Sequence, residues 1–183
     1  MPTTTLSTPR AGVRSAFGVI GFAIALAAAS QVAIPLPGTP VPFTLQPLVV
    51  MLAGLWLGPA AAVASMVVYI AMGAAGLPVF APVGAPGIAR LFGPTGGYIL
   101  AYPAAAWVVA MLAGDSRRYV RRAAAALAGM LVLYLGGFSQ LVLITGSASS
   151  ALSLGVVPFM AFDAIKALIA GAVSPARGER TNA

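Results

Sequence analysis

The sequence has no cysteine and no histidine, and among its 183 residues it has only three acidic side chains and a single lysine. Without thiols there is neither a disulfide nor a thiolate nucleophile. Without imidazole the usual zinc, haem and copper ligand sets are excluded. Asp115, Asp163 and Glu179 lie too far apart in sequence to suggest a carboxylate metal cage, so no metal and no cofactor is expected. No GxxxxGK[ST] stretch occurs, so the chain has no phosphate cradle for ATP of the usual kind. The polar segment Met1–Arg14 lacks a small-residue cleavage site after a short apolar core, and the apolar run that follows reads as a retained span. There is no internal repeat.

What is present is apolar. Hydrophobic residues make up 60% of the chain and charged residues 7%, against about 45–50% and about 25% in soluble domains. The expected class is an all-α integral membrane protein. Runs near the length of a span, about 20 residues, fall at 15–35, 45–57, 59–76, 97–113, 123–145 and 155–174. Gly58 ends the short second run and Pro59 is well placed to start the third. Pro103 should kink the fourth. Six transmembrane helices between tails at 1–14 and 175–183 put both termini on one side.

The net charge of +7 is not the basic patch of a nucleic-acid binder, and no nucleic-acid partner is expected. Eight of the ten cations lie at Arg10 and Arg14, at Arg117, Arg118, Arg121 and Arg122, and at Arg177 and Arg180, between or outside the apolar runs. A cytoplasmic N-terminus places all of them inside, as the positive-inside rule requires. Arg90 is then the lone outer cation. The inner links, 57–59 and 114–122, are simple. The outer segments are richer: 35–47 reads PLPGTPVPFTLQP, with five prolines in thirteen residues, and 77–97 reads LPVFAPVGAPGIARLFGPTGG. Proline stiffens both, whether as plain connections or as an ordered cap over a cavity.

Few side chains can carry chemistry. Asp163 and Lys166 sit inside the last apolar run at spacing i, i+3, on one helical face with Phe159 and Ala170. A charge at mid-span costs about 2.5–3.5 kcal/mol on insertion scales. The pair is either a self-neutralised insertion device or a ligand site; an apolar pair would insert more cheaply, which favours the site. On the same topology Asp163 lies about eight residues, roughly 12 Å at 1.5 Å per residue, below the outer end of its span. Arg90 is either a headgroup contact or a clamp for a ligand carboxylate. In GPTGGY (93–98) the glycines permit close backbone approach and Thr95 can cap the fourth helix, whose N-terminus favours an anion. Tyr98 and Tyr102, four apart, have an interfacial belt as their default role. Ser30, Gln31, Gln46, Ser65, Tyr69, Tyr134, Ser139 and Gln140 are candidates for interhelical hydrogen bonding. Ala23 with Ala27, and Ala25 with Ala29, form small-xxx-small faces on the first helix, for packing within the chain or against a partner. Two other classes are a stand-alone carrier or channel in which Asp163 titrates, and an intramembrane hydrolase with Lys166 as base and Ser139 as nucleophile.

Four stretches in order, QVAIPLPGTPVPFTLQPLVVMLAG (31–54), LGPAAAVASMVVYIAMGAAGLPVFA (57–81), LFGPTGGYILAYP (91–103) and VPFMAFDAIKALIA (157–170), resemble the BioY family. These are the biotin-binding S components of energy-coupling-factor (ECF) vitamin transporters. The likeness runs from about residue 15 to 172. It implies six transmembrane helices, an outward-facing biotin cavity, no enzymatic activity, and partnership with a transmembrane coupling (T) protein and a pair of ABC-type ATPases in a bacterial cytoplasmic membrane. Motif matches carry Gln46, Gly93, Thr95, Gly96, Tyr98, Asp163 and Lys166 into the candidate site, with Arg90 beside them. Ala23 and Ala27 are implied as the docking face for the coupling protein. PVGAPG (82–87) departs from the glycine-rich stretch common after GLPVFA in the family. On this resemblance Asp163 accepts from the ureido N–H groups of biotin with Lys166 beside it. Arg90 or the 93–97 turn takes the carboxylate, and the reverse assignment, Lys166 on the carboxylate, stays open.

Overall fold

The computed structural model describes residues 9–173. Among the described residues seven α-helices dominate: α1 (Pro9–Gln31), α2 (Gln46–Leu57), α3 (Pro59–Ala74), α4 (Gly96–Ala113), α5 (Tyr119–Thr145), α6 (Ala148–Gly155) and α7 (Met160–Val173). Two short strands, β1 (Ala33–Ile34) and β2 (Phe43–Thr44), pair antiparallel between α1 and α2, and a 3-10 helix spans Gly87–Phe92 before α4. Of the expected tails, residues 1–8 and 175–183, with Arg177 and Arg180, lie outside the described residues, while residues 9–14 already belong to α1.

The boundaries follow local chemistry. Gly58 adopts φ 84°, a conformation open to glycine and strained for other residues, and Pro59 at the first position starts α3. Gly146, at φ 68°, ends α5 by donating its N–H to Val142. The Ser147 side chain caps α6 by accepting from the Ser150 N–H. α4 runs through Pro103 without interruption. The first proline-rich segment, read from sequence as either a plain connection or an ordered cap over a cavity, folds back on itself and pairs Ala33 with Thr44.

The sixth expected span is not one helix. α6 and α7 meet at a bend of 54° over Val156–Phe159. Pro158 is the cause, since it has no N–H and its ring clashes with the carbonyl four residues back. α4 and α5 are each long and apolar enough to cross a membrane, and the bent α6–α7 pair is a third candidate if taken as one span. The apolar part of α1 (Ser15–Gln31), α2 and α3 are shorter.

Small residues set the packing. A Cβ on Gly97 would strike the Gly136 backbone and one on Gly136 the Gly97 backbone, so α4 and α5 touch main chain to main chain. Gly171 lets α7 come close to the Ala123 backbone of α5. Leu26, Val50, Met51, Met66, Val109 and Leu133 from five helices fill the centre. The outer faces carry bare apolar side chains such as Leu143 (85% exposed), Val120 (75%) and Phe17 (73%), which is how a surface meant for lipid looks.

Candidate functional site

The Pro158 break shapes the site. In an unbroken helix the carbonyl of Leu154 would accept from residue 158 and that of Gly155 from residue 159. Proline has no N–H, and the Phe159 N–H turns to Val156. The two orphaned carbonyls are taken from elsewhere: Thr39 in the hairpin loop donates to Leu154 at 2.6 Å, and Tyr98 of α4 donates to Gly155 at 2.5 Å. The hairpin and α4 are thereby fastened to the break.

Asp163 therefore does not lie eight residues deep in a continuous span, as the sequence implies. It lies in the first turn of α7. A carboxylate there faces the positive end of the helix dipole, which lowers the cost of burying it. Lys166 donates to Asp163 Oδ1 at 2.8 Å and to the Thr44 carbonyl at 2.7 Å, and its Nζ lies 3.8 Å from the centre of the Phe43 ring. Phe43 in turn meets Phe162 edge to face at 5.4 Å. The ammonium is thus committed to β2 and to its acid partner. Tyr134 of α5 donates to the other carboxylate oxygen, Oδ2, at 2.8 Å. Asp163 and Lys166 are 5% and 6% exposed, so the pair is desolvated and needs all these partners.

These groups open onto a concave, mostly apolar cavity with a few convergent polar groups, the usual form of a small-molecule site. Val41, Pro42, Pro47, Ile99, Met130, Leu133 and Phe159 give it apolar walls. Of the residues singled out in the sequence, Asp163, Lys166, Arg90, Tyr98, Gln46 and Thr95 all line it. Arg90 donates to the carbonyls of Val83 and Ala81, holding the segment before the 3-10 helix, while its buried Nε has no partner. Burial pushes the guanidinium pKa down from its ordinary value. Gln46 donates to the Tyr69 hydroxyl at 2.8 Å, and the Tyr69 ring lies 6.2 Å from that of Tyr102.

Several expectations are corrected. Thr95 holds the cap position of α4, but its hydroxyl makes no capping bond. Gly96 does not line the cavity; it is buried where a Cβ would strike the Leu91 carbonyl, next to Gln140. Gln140 donates to the Leu91 and Gly93 carbonyls at 2.9 and 2.8 Å and so fastens the GPTGG turn to α5. Tyr102 is no belt residue: it is 3% exposed and lines the cavity. Ala23 is 1% exposed and packs in this chain's own core, so it offers no face to a partner, and Ala27 is half-buried against the same core. Ser139 is exposed, donates to Leu135 and lies outside the cavity, so no Ser139–Lys166 dyad is assembled. The sequence offered no signal for Thr44, whose backbone oxygen and not its side chain holds Lys166. Tyr134, named only as interhelical glue, is the second partner of Asp163.

The BioY family model matches residues 2–182. The chain belongs to the BioY family. Its BioY relatives include a Thermotoga maritima protein named Biotin transporter BioY, 34% identical over 90% of this chain and 91% of that one. A Pyrococcus horikoshii protein named "Probable biotin transporter BioY" is 44% identical over 72% and 76% of the two chains. The crystal structure of the S-component for biotin from an ECF-type ABC transporter matches this BioY-family fold with a TM-score of 0.85, over 97% of this chain and 96% of that one, at 23% identity.

Proposed function

We propose that this chain is the biotin-binding S component of an ECF-type uptake transporter. It captures biotin at the outer face of a bacterial cytoplasmic membrane and delivers it inward with a transmembrane coupling protein and ABC-type ATPases. The fold crosses the membrane six times with both termini inside; the arginines at 117, 118, 121 and 122 support that orientation.

The observation that carries the reading is one apolar cavity that gathers a desolvated acid, a lysine, a guanidinium and hydrogen-bonding tyrosines. Biotin has a ureido ring with two N–H donors and a carbonyl, an apolar bicycle and chain, and a carboxylate. Each Asp163 oxygen already accepts one hydrogen bond and keeps lone-pair capacity for a ligand N–H. Lys166 is largely spent on Thr44, Asp163 and Phe43. This allocation favours Asp163 on the ureido group and the unpartnered Arg90 Nε on the carboxylate.

The test is binding of tritiated biotin to the purified protein. Asp163→Asn should weaken it about 100-fold, the loss of roughly two charge-assisted hydrogen bonds at about 1.5 kcal/mol each. Lys166→Ala should weaken it further by leaving the acid unpaired. Folded variants of both that bind like the wild type would reduce the pair to an insertion device.

A further inference from the structure

We propose that Tyr134 is a positioning residue for ligand recognition, its hydroxyl setting the plane of the Asp163 carboxylate. The inference rests on the biotin-binding reading. A carboxylate turns readily about its last side-chain bond, whose torsion is broad and two-fold. A single donor leaves that rotation open. Here two donors act, one on each oxygen and each at 2.8 Å: Lys166 on Oδ1 and Tyr134 on Oδ2. They also come from different elements. Lys166 shares α7 with the acid and moves with it, whereas Tyr134 stands on α5 and gives the carboxylate a reference outside its own helix.

The remaining lone pairs are then presented in a set direction, and Tyr134 and Asp163 both line the cavity. A preorganised acceptor spends little on ordering when a ligand N–H arrives. Tyr134 is not merely structural glue in this arrangement. Its ring is half-buried and packs against the cluster formed by Val41, Leu141, Ala151 and Phe159, so the fold depends on the ring and the hydroxyl is free to serve Asp163.

Tyr134→Phe keeps the ring and removes only the donor. It should weaken biotin binding about tenfold while the unfolding midpoint of the ligand-free protein in detergent stays within about 2 °C. Two readouts separate positioning from structure. Combined with Asp163→Asn, the same replacement should change affinity by less than about twofold, because it acts through a carboxylate no longer present. The preference for biotin over a derivative methylated on a ureido nitrogen should also shrink about tenfold. That ratio is internal to each sample and holds if only part of the variant is folded. Equal losses for both ligands, or a full effect on top of Asp163→Asn, would overturn the positioning role alone. A wild-type protein that binds no biotin would overturn both this role and the function on which it rests.

Discussion

The nitrogens of Arg90 are used unequally. Its terminal nitrogens hold the Val83 and Ala81 carbonyls, its buried Nε has no partner, and the residue lines the cavity. An orphaned buried donor costs about 1–3 kcal/mol, which a ligand carboxylate would relieve. Lysine cannot replace this fork, because a single ammonium lacks the fixed geometry to serve two carbonyls and a third acceptor. Arg90→Lys should therefore weaken biotin binding about 10- to 100-fold, yet affinity for biotin amide, which has no carboxylate, should fall by no more than about threefold. Titrating both ligands against one preparation decides the matter. Parallel losses would mean that Arg90 only holds its loop. Arg90 was visible in the sequence as the one cation against the charge bias. The division of its nitrogens was not, because it depends on loop carbonyls whose direction no residue pattern encodes.

At the scale of elements, the α6–α7 break is the joint to which the hairpin and α4 are both fastened beside the cavity. Pro158 frees the Leu154 and Gly155 carbonyls, and the hairpin and α4 claim them through Thr39 and Tyr98. Pro158→Ala would supply an N–H to Leu154 and allow Phe159 to return to Gly155, so the helix could close and expel both side chains. Straightening would also move Asp163 out of a first turn into a helix interior, away from the dipole that favours it. The expected result is biotin affinity lower by about tenfold, with Tyr98→Phe, which loses one of the two ties, showing a smaller loss of the same kind. An unchanged affinity in Pro158→Ala would show that the break has no part in shaping the site. Helix runs were legible because apolar length and Gly58–Pro59 punctuation are local. The i, i+3 charge pair was legible for the same reason. The break was not, since Pro158 sits in an apolar run that reads continuously, and the hairpin was not, since two strands of two residues leave no alternation to detect. Tyr134 meets Asp163 only because α5 packs on α7, a tertiary fact.

For the whole molecule the number of bilayer crossings turns on α2 and α3. At 1.5 Å per residue α2 and α3 are about 18 and 24 Å long, short of a hydrocarbon core of about 30 Å. Two geometries fit such lengths. Either each crosses once, with the turn at Gly58 on the inner side, or the two form a re-entrant pair whose ends both face out. The charge bias cannot choose between them, because residues 38–76 contain no charged side chain at all. The packing favours crossing. Val50 and Met51 of α2 and Met66 of α3 lie fully buried in one core with Ala105 and Val109 of α4, a helix long enough to span by itself. The absence of cysteine makes a direct test clean, since any single introduced thiol is the only one in the chain. Pro37, Ala60, Ala85 and Asp115 are all exposed, one in each of the first four connections or at its edge. With a membrane-impermeant maleimide on intact cells, Pro37→Cys and Ala85→Cys should be modified, and Ala60→Cys and Asp115→Cys only after permeabilisation. Modification of Ala60→Cys from outside would make α2 and α3 a re-entrant pair and reduce six crossings to four while leaving both termini inside. Modification of Asp115→Cys from outside, with Ala85→Cys protected, would reverse the orientation and place the cavity mouth on the cytoplasmic face, where capture from the medium is impossible.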